Sequence, residues 1–163
     1  MCFLVDAETS KTRDLQIPEL QLQFGRDIEP ALLEYSESYS ESLEVRESIG
    51  TWRVSTYYTP LHGQRKYFNG SYAADFNINC SGDCFVTASG HRLTDADIST
   101  TVACPPSFSF GTELYIDTVG KVICYDRGGA IKGKRLDLWV GYGDEGFHRI
   151  GNGSGWHEVF IIK

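Results

Sequence analysis

The sequence lacks three features, and each absence excludes a large class of proteins. It has no run of eighteen apolar residues, so no segment is long enough to cross a membrane as a helix. It has no excess of positive charge, and a formal net charge of -7 argues against nucleic acid as a partner. Its beginning, MCFLVDAE, is too short and too acidic for a signal peptide. We therefore expect either a chain that starts downstream of its export signal or release by lysis, as for a phage-encoded protein.

The charge is unevenly distributed along the chain. Residues 1–50 hold eleven acidic and four basic residues, whereas the rest holds eleven of each. Between Asp27 and Ser48 the apolar residues follow a partial helical spacing, and Pro30 lies near the start, where helices tolerate it. The sequence thus predicts an acidic N-terminal arm over residues 1–50, helical or partly disordered, followed by a neutral domain over residues 51–163.

Short segments rich in β-branched and aromatic residues follow Gly50, with turn residues between them. The predicted strands are Thr51–Thr59, Cys84–Ala88, Ser99–Cys104, Glu113–Ile116, Lys121–Tyr125, Leu136–Val140 and His157–Ile162. The fourth and fifth read as a hairpin, and one turn of helix is expected at Ala130–Lys134. Many short strands without helical patterns between them indicate an all-β barrel or sandwich.

Four of the five cysteines fall in the β-rich part of the chain, at Cys80, Cys84, Cys104 and Cys124. An even set in a small domain is typical of disulfides in an oxidising compartment, and it allows three connectivities. A zinc site is the alternative, but Cys104 and Cys124 do not form a second close pair like Cys80 and Cys84. The four histidines show no spacing typical of a metal site or a catalytic triad. We expect neither a metal nor a cofactor.

The segment Tyr125–Trp139, YDRGGAIKGKRLDLW, carries two aspartates eleven residues apart around a Gly-Gly-Ala-Ile-Lys-Gly turn. Together with Ser55–Tyr58, Thr87–Gly90 and Phe110–Ile116, it resembles the 3D domain, named for three aspartates, over residues 52–141. That domain occurs in the family of membrane-bound lytic transglycosylase A and in stationary-phase survival proteins of the Bacillus cell wall. The resemblance implies an all-β fold, a six-stranded double-psi β-barrel of the expansin-like (RlpA-like) kind.

One position departs from the family pattern. The first aspartate of the family precedes a proline, and here Cys104 stands before Pro105. The resemblance places this position in one groove with the other two, Asp126 and Asp137. Because Cys124 lies two residues before Asp126 on the same strand face, a Cys104–Cys124 disulfide is implied. Cys80 and Cys84 would then pair locally or remain thiols.

The activity that the resemblance implies is that of a peptidoglycan lytic transglycosylase. Such an enzyme cleaves the MurNAc–GlcNAc bond with one aspartate as general acid and base and leaves a 1,6-anhydromuramyl product. The resemblance assigns this role to Asp137, which should face away from Leu136 and Leu138 on its strand. Partial burial would raise its pKa. The alternative is an exposed strand residue paired with a nearby basic side chain.

Asp126 has two interpretations that the sequence leaves open. It either raises the pKa of Asp137 by like-charge proximity or binds substrate, or it caps the glycine turn that follows it. Candidate substrate contacts are the rings of Tyr57 and Tyr58, the hydroxyls of Thr87 and Ser89, and the ammonium group of Lys132. Each of these side chains also has a structural interpretation, in the core, in a turn or in solvent.

A non-catalytic glycan-binding or wall-loosening module is the competing function, and the missing first aspartate favours it. A virion or secreted structural protein that uses the barrel as a scaffold is a third. In the first two cases the expected partner is the glycan strand of peptidoglycan. We expect a monomer located outside the cytoplasm, in the periplasm, in the cell wall or secreted.

Overall fold

The computed structural model describes residues 46–80 and 82–163. Its strands are β1 (Arg46–Thr59), β2 (Thr101–Ala103), β3 (Glu113–Ile116), β4 (Gly120–Asp126), β5 (Arg135–Tyr142) and β6 (Gly155–Ile162). The helices are α1 (Tyr72–Asn79) and α2 (Gly143–Arg149), with a short 3-10 helix at Asp95–Asp97. Of the predicted arm, residues 1–45 lie outside the described residues, and residues 46–50 are the start of β1.

The six strands form one sheet that closes on itself in the order β1-β5-β2-β4-β3-β6. The pairs β1–β5 and β2–β4 are parallel, and the other pairs are antiparallel. Strand β1 pairs with β6 over residues 46–54, and from Arg53 onward it pairs with β5. Closure gives each strand two neighbours, although residues 46–52 of β1 pair with β6 alone. Of the predicted all-β class with six strands, the structure confirms a mostly-β domain with a six-stranded sheet, to which two helices are added.

Alternation along the strands sorts side chains between the interior and the outer face. On β5, Leu136 and Leu138 are buried in the core while Asp137 between them faces the other way, as predicted. The same alternation on the other strands supplies the rest of the core. Its buried residues include Trp52, Val54, Tyr58, Val102, Leu114, Ile116, Val122, Val140 and Val159.

Two local predictions are wrong. Cys84–Ala88 is not a strand, because its backbone turns: the amide of Val86 bonds back to the carbonyl of Asp83, and Val86 forms an isolated bridge with Arg92. Ala130–Lys134 is not a helical turn either. A backbone bond from Ile131 to Gly128 closes a tight turn there, and Gly133 continues it with a φ of +61°.

Both helices lie where no helix was predicted. Helix α1 begins at Ser71, whose hydroxyl accepts a hydrogen bond from the amide of Ala74. Its buried residue is a carboxylate, Asp75, which accepts hydrogen bonds from the Tyr58 hydroxyl and from the amide of Phe68. A polar anchor replaces the apolar stripe by which amphipathic helices are recognised. Neither helix has the length or apolar character needed to cross a bilayer.

Candidate functional site

A groove of about 660 Å³ runs over the face of the sheet that points away from the core. Strands β5, β2, β4 and β1 supply its floor, with Asp137, Ala103, Asp126 and Tyr57. The end of α1, the loop through Cys84 and the turn after β4 supply its walls. The wall residues are Ile78, Asn79, Cys80, Asp83, Cys84, Val86, Thr87, Ala88, Leu93, Arg127, Gly128 and Gly129.

Ala103 lies between the two aspartates. It is directly opposite Asp137 in the antiparallel β2–β5 pair and aligned with Asp126 in the parallel β2–β4 pair. The backbones of Asp126 and Asp137 are thus two strand spacings apart, about 10 Å. Because the side chain between them is a single methyl group, the floor stays open between the two carboxyl groups.

Asp137 is half-buried and has one strong side-chain partner. The hydroxyl of Ser55, its register partner on β1, donates a hydrogen bond of 2.7 Å to Asp137 Oδ1. Burial raises the pKa of Asp137, and the nearby Asp126 charge adds to that rise, while the Ser55 hydrogen bond and the Arg135 charge oppose it. The net direction is upward. The interpretation of Asp137 as an exposed, ion-paired strand residue is therefore not supported.

Asp126 is held by two donors. The hydroxyl of Tyr57 donates to Oδ2 at 2.8 Å, and the amide of Ala88 donates to Oδ1 at 2.9 Å. Burial, followed by the charge of Asp126, raises the pKa of Tyr57 well above its usual value near 10, so the phenol remains neutral and keeps donating. The Asp126 carboxylate is thus bound to β1 and to the wall loop. This is not the geometry of a cap for the Gly128–Gly129 turn.

The turn after β4 owes its shape to Gly128 and Ile131. Gly128 and Gly129 border the groove, while the Ile131 side chain is almost fully buried beneath them. A Cβ on Gly128 would lie 2.7 Å from Ile131 Cγ1, closer than side chains approach one another. Lys132 is exposed and is not among the groove residues. The turn therefore shapes the groove through backbone, and Lys132 points elsewhere.

Two disulfides join the four cysteines of the domain. Cys104 is bonded to Cys124, as the resemblance implied, and Cys80 is bonded to Cys84. The zinc alternative is wrong for these residues, because all four thiols are consumed. Among the described residues no group of three His, Cys, Asp or Glu side chains is placed to hold a metal ion. The Cys80–Cys84 bridge forms part of the groove wall.

The expectation that Cys104 lines the groove is wrong. Cys104 and Cys124 are fully buried in the core, and Ala103 takes the groove position. In a regular strand Cys124 and Asp126 would share a face, as predicted. The β2–β4 register shifts between Val102 and Ala103, so Cys124 faces the core while Asp126 faces the groove.

The other predicted contact residues are only partly brought together. Tyr57 and Thr87 border the groove, and the hydroxyl of Thr87 lies 3.0 Å from that of Ser89. Ser89 itself is exposed and not among the groove residues. Tyr58 is fully buried, and its hydroxyl donates a hydrogen bond to Asp75 of α1. A substrate contact by Tyr58 is therefore excluded.

Sequence reasoning missed the role of Ser55 and the apolar wall. Ser55 was part of a recognised strand motif, but its pairing with Asp137 depends on a register between distant segments. Ile78 and Val86 are exposed apolar side chains on the wall that faces the aspartates. Nothing local marks them, because they reach the groove through a turn closed by the Cys80–Cys84 disulfide.

The structure thus defines a mostly-β domain with a closed six-stranded sheet and an acidic groove. The family model of the 3D domain matches residues 100–163, which include β2 to β6 and both aspartates. This match confirms the resemblance to the 3D domain family. No curated protein is detectably similar to the chain in sequence.

Several solved structures are similar to part of the chain, and three of them illustrate the likeness. Escherichia coli MltA with bound chitohexaose is 26% identical over 48% of this chain and 27% of its own, with a TM-score of 0.41. A second structure of MltA from Escherichia coli, described as a unique lytic transglycosylase fold, is 27% identical over the same shares, with a TM-score of 0.41. LtgG, a lytic transglycosylase of Burkholderia pseudomallei, is 27% identical over 47% of this chain and 25% of its own, with a TM-score of 0.35. This chain spans about a quarter of these relatives, so the likenesses carry no argument about activity.

Proposed function

We propose that this protein cleaves the glycan strands of peptidoglycan as a lytic transglycosylase, breaking the MurNAc–GlcNAc bond and leaving a 1,6-anhydromuramyl end. The observation that carries the proposal is the state of Asp137. It is a half-buried carboxyl group with a raised pKa, on the floor of an open groove and inside the 3D-domain match. A general acid needs this combination of a raised pKa and access to substrate.

In the first half of the reaction, Asp137 protonates the glycosidic oxygen while the bond from that oxygen to C1 of the muramyl sugar breaks. The Ser55 hydroxyl donates its hydrogen bond to Oδ1 of Asp137. Oδ2 is then the oxygen that carries the proton toward the groove. Burial favours the protonated form before substrate arrives, because a charged carboxylate is poorly solvated there.

In the second half, the 6-hydroxyl of the same muramyl sugar attacks C1, and its proton passes to the Asp137 carboxylate. One C–O bond has broken, another has formed inside the sugar, and the acid is regenerated without consuming water. A single carboxyl group serves both steps, in contrast to the two catalytic carboxyl groups of most glycosidases. A mechanism with one catalytic carboxyl group is compatible with a groove in which the second carboxylate, Asp126, already accepts hydrogen bonds from Tyr57 and Ala88.

Asp126 takes the role of a modulator in this scheme. Its negative charge contributes to the raised pKa of Asp137. The neutral Tyr57 phenol and the Ala88 amide fix its position. Between the carboxyl groups, the methyl group of Ala103 leaves space for a sugar ring. Thr87, which borders the same groove, is the proposed hydrogen-bonding contact to that sugar.

The closed sheet is, in this proposal, a double-psi β-barrel. The two parallel pairs, β1–β5 and β2–β4, within an otherwise antiparallel ring support that topology. The two disulfides fit an oxidising compartment, in keeping with action on the cell wall from outside the cytoplasm. The partner is the glycan strand, and the expected state is a monomer.

One observation favours a second function, a glycan-binding module that does not cleave. The position of the family's first aspartate is Cys104, which is buried in a disulfide and contributes no carboxylate. If that carboxylate is needed for turnover, the groove still binds sugars through Tyr57, Thr87 and the two aspartates. Binding without products would then be the outcome.

The test is digestion of purified peptidoglycan followed by mass analysis for 1,6-anhydromuramyl products. Wild type should release them, and Asp137→Asn should lower the rate by at least about 100-fold, the usual contribution of a general acid. Asp117→Asn is the matched control, because Asp117 is an exposed aspartate outside the groove. If wild type yields no product yet sediments with sacculi, the binding module replaces the enzyme. If Asp137→Asn keeps full activity, Asp137 is not the acid.

A further inference from the structure

Trp156 lies on the same face of the sheet as the two aspartates. It is directly opposite Arg53 in the antiparallel β1–β6 pair, so both side chains point to one face. Two residues further along β1, Ser55 has the same orientation and is aligned with Asp137. The side chains of Trp156, Arg53, Ser55 and Asp137 therefore all lie on the face of the sheet that points away from the core.

A second depression contains Trp156 and adjoins the groove. It is lined by Arg53, Val54, Ser55, Ser154, Gly155 and Trp156. Ser55 belongs to this depression and Asp137 to the groove, and the 2.7 Å hydrogen bond between them joins the two. From strand spacing and rise, the backbones of Trp156 and Asp137 are about 12 Å apart. That separation is longer than one sugar ring.

Trp156 differs from the two other tryptophans of the chain. It is 70% exposed, whereas Trp52 and Trp139 are buried in the core at 6% and 0%. An indole this exposed loses the burial that usually stabilises a large aromatic side chain. The side chains around it are polar: the guanidinium group of Arg53 and the hydroxyls of Ser55 and Ser154.

The geometry points to a distal sugar subsite at Trp156, which binds a ring of the glycan strand away from the bond that Asp137 cleaves. This inference rests on the proposed glycan substrate. A pyranose ring has one flat face of C–H groups and a rim of hydroxyls. The indole of Trp156 matches the flat face, while Arg53 and Ser154 supply hydrogen-bonding groups for the rim. An apolar protein partner would need a wider apolar surface than one ring among polar groups.

Binding is measured with Asp137→Asn as the background, so that no oligosaccharide is cleaved. The probes are a dimer and a hexamer of β-1,4-linked N-acetylglucosamine, titrated by calorimetry. Adding Trp156→Ala should weaken hexamer binding roughly tenfold, equivalent to about 1.4 kcal/mol, and leave the dimer unchanged. We expect the dimer to bind at the aspartates alone, whereas the hexamer is long enough to contact both the aspartates and Trp156. Phe68→Ala is the control, because Phe68 is 63% exposed and is not among the residues of either depression.

Tryptophan fluorescence gives a second readout. Because Trp52 and Trp139 are buried, changes in emission and in acrylamide quenching on adding the hexamer should come from Trp156. A blue shift with reduced quenching supports the subsite, and Trp156→Ala should abolish both. Unchanged emission, or hexamer affinity unaltered by Trp156→Ala, overturns it.

The two proposals fail separately. Hexamer affinity that Trp156→Ala leaves unaltered removes the Trp156 subsite and leaves the transglycosylase proposal intact. If wild type releases no 1,6-anhydromuramyl product but the hexamer still shifts Trp156 emission, cleavage is excluded. The subsite then stands as part of the glycan-binding module. Absence of any hexamer binding overturns the subsite.

Discussion

The Ser55 hydroxyl donates a 2.7 Å hydrogen bond to Oδ1 of Asp137 across the parallel β1–β5 pair. This bond favours the charged carboxylate, whereas burial and the nearby Asp126 charge favour the protonated acid. The pKa of Asp137 is therefore a balance between groups on separate strands. Each group can be changed by one substitution, and the direction in which that substitution moves the pKa of Asp137 follows from its role.

Ser55→Ala should move the alkaline limb of the pH–activity profile to higher pH. Removing the donor destabilises the carboxylate, so the pKa of Asp137 rises and the acid stays protonated over a wider range. The measurement is the rate of 1,6-anhydromuramyl release against pH. Ser48→Ala, a serine on the same strand bonded to Glu158, is the control and should leave the limb in place. A limb that moves to lower pH in Ser55→Ala would contradict this assignment.

Asp126→Asn should move the same limb in the opposite direction. The substitution removes a negative charge that raises the pKa of Asp137, so the acid loses its proton at lower pH. The Asn carbonyl can accept the hydrogen bond from the Ala88 amide while its NH2 group donates to the oxygen of Tyr57, so both contacts of Asp126 can be kept. The profile is measured as for Ser55→Ala. An unchanged limb with lost substrate affinity would instead make Asp126 a binding residue.

The raised pKa of Asp137 should also make the stability of the fold depend on pH. Its pKa in the folded state is above the ordinary value of 3.8, so the folded protein binds more protons than the unfolded chain between those two pKa values. Stability from this group is present below pH 3.8 and decreases as pH rises through the folded pKa.

Asp137→Asn should remove that decrease, so the variant should be at least as stable as wild type at neutral pH. The measurement is the difference in unfolding free energy between the two proteins in urea, at a series of pH values. For Asp117→Asn, at an exposed position, the difference should not rise in this way. A variant that is clearly less stable at neutral pH would show that the Asp137 charge is favourable in the fold.

The Cys104–Cys124 disulfide should contribute more stability than Cys80–Cys84. The first closes a sequence separation of 20 residues and the second one of 4, and the entropy removed from the unfolded chain grows with loop length. Replacing the first pair by alanine should cost about 3 kcal/mol, and replacing the second about 2 kcal/mol. Urea unfolding measures both. Equal losses would mean that loop entropy does not control the effect.

Gly128→Ala should destabilise the turn beside the groove by about 1–3 kcal/mol, because the new methyl group would overlap Ile131 in a packed site. Gly129→Ala is the matched control on the next residue, where an added Cβ meets no atom within 4 Å. Thermal unfolding of the two variants measures the difference. A loss of equal size in both variants would point to backbone conformation instead of the contact with Ile131.

Local patterns predicted most of the strands but neither described helix. β-branched and aromatic alternation marks β1 and β5, because burial repeats every second residue in the middle of β1 and in the first half of β5. Helix α1 could not be predicted from such a pattern, since it is anchored by the hydrogen bond between Asp75 and Tyr58 and not by an apolar stripe. The composition of Cys84–Ala88 predicted a strand that does not form. The Cys80–Cys84 disulfide and the turn that follows it determine the backbone conformation of this segment.

The sequence by itself determined the strand alternation that turns Asp137 away from Leu136 and Leu138, and the resemblance to the 3D domain implied the Cys104–Cys124 pairing. These depend on neighbours in the chain or on a motif that resembles a known family. Only the tertiary structure decided that Ala103, and not Cys104, separates Asp126 from Asp137. The cause is a register shift between β2 and β4, which turns Cys124 inward and Asp126 outward. Register between distant strands is set by the closure of the whole sheet, so no local pattern encodes it.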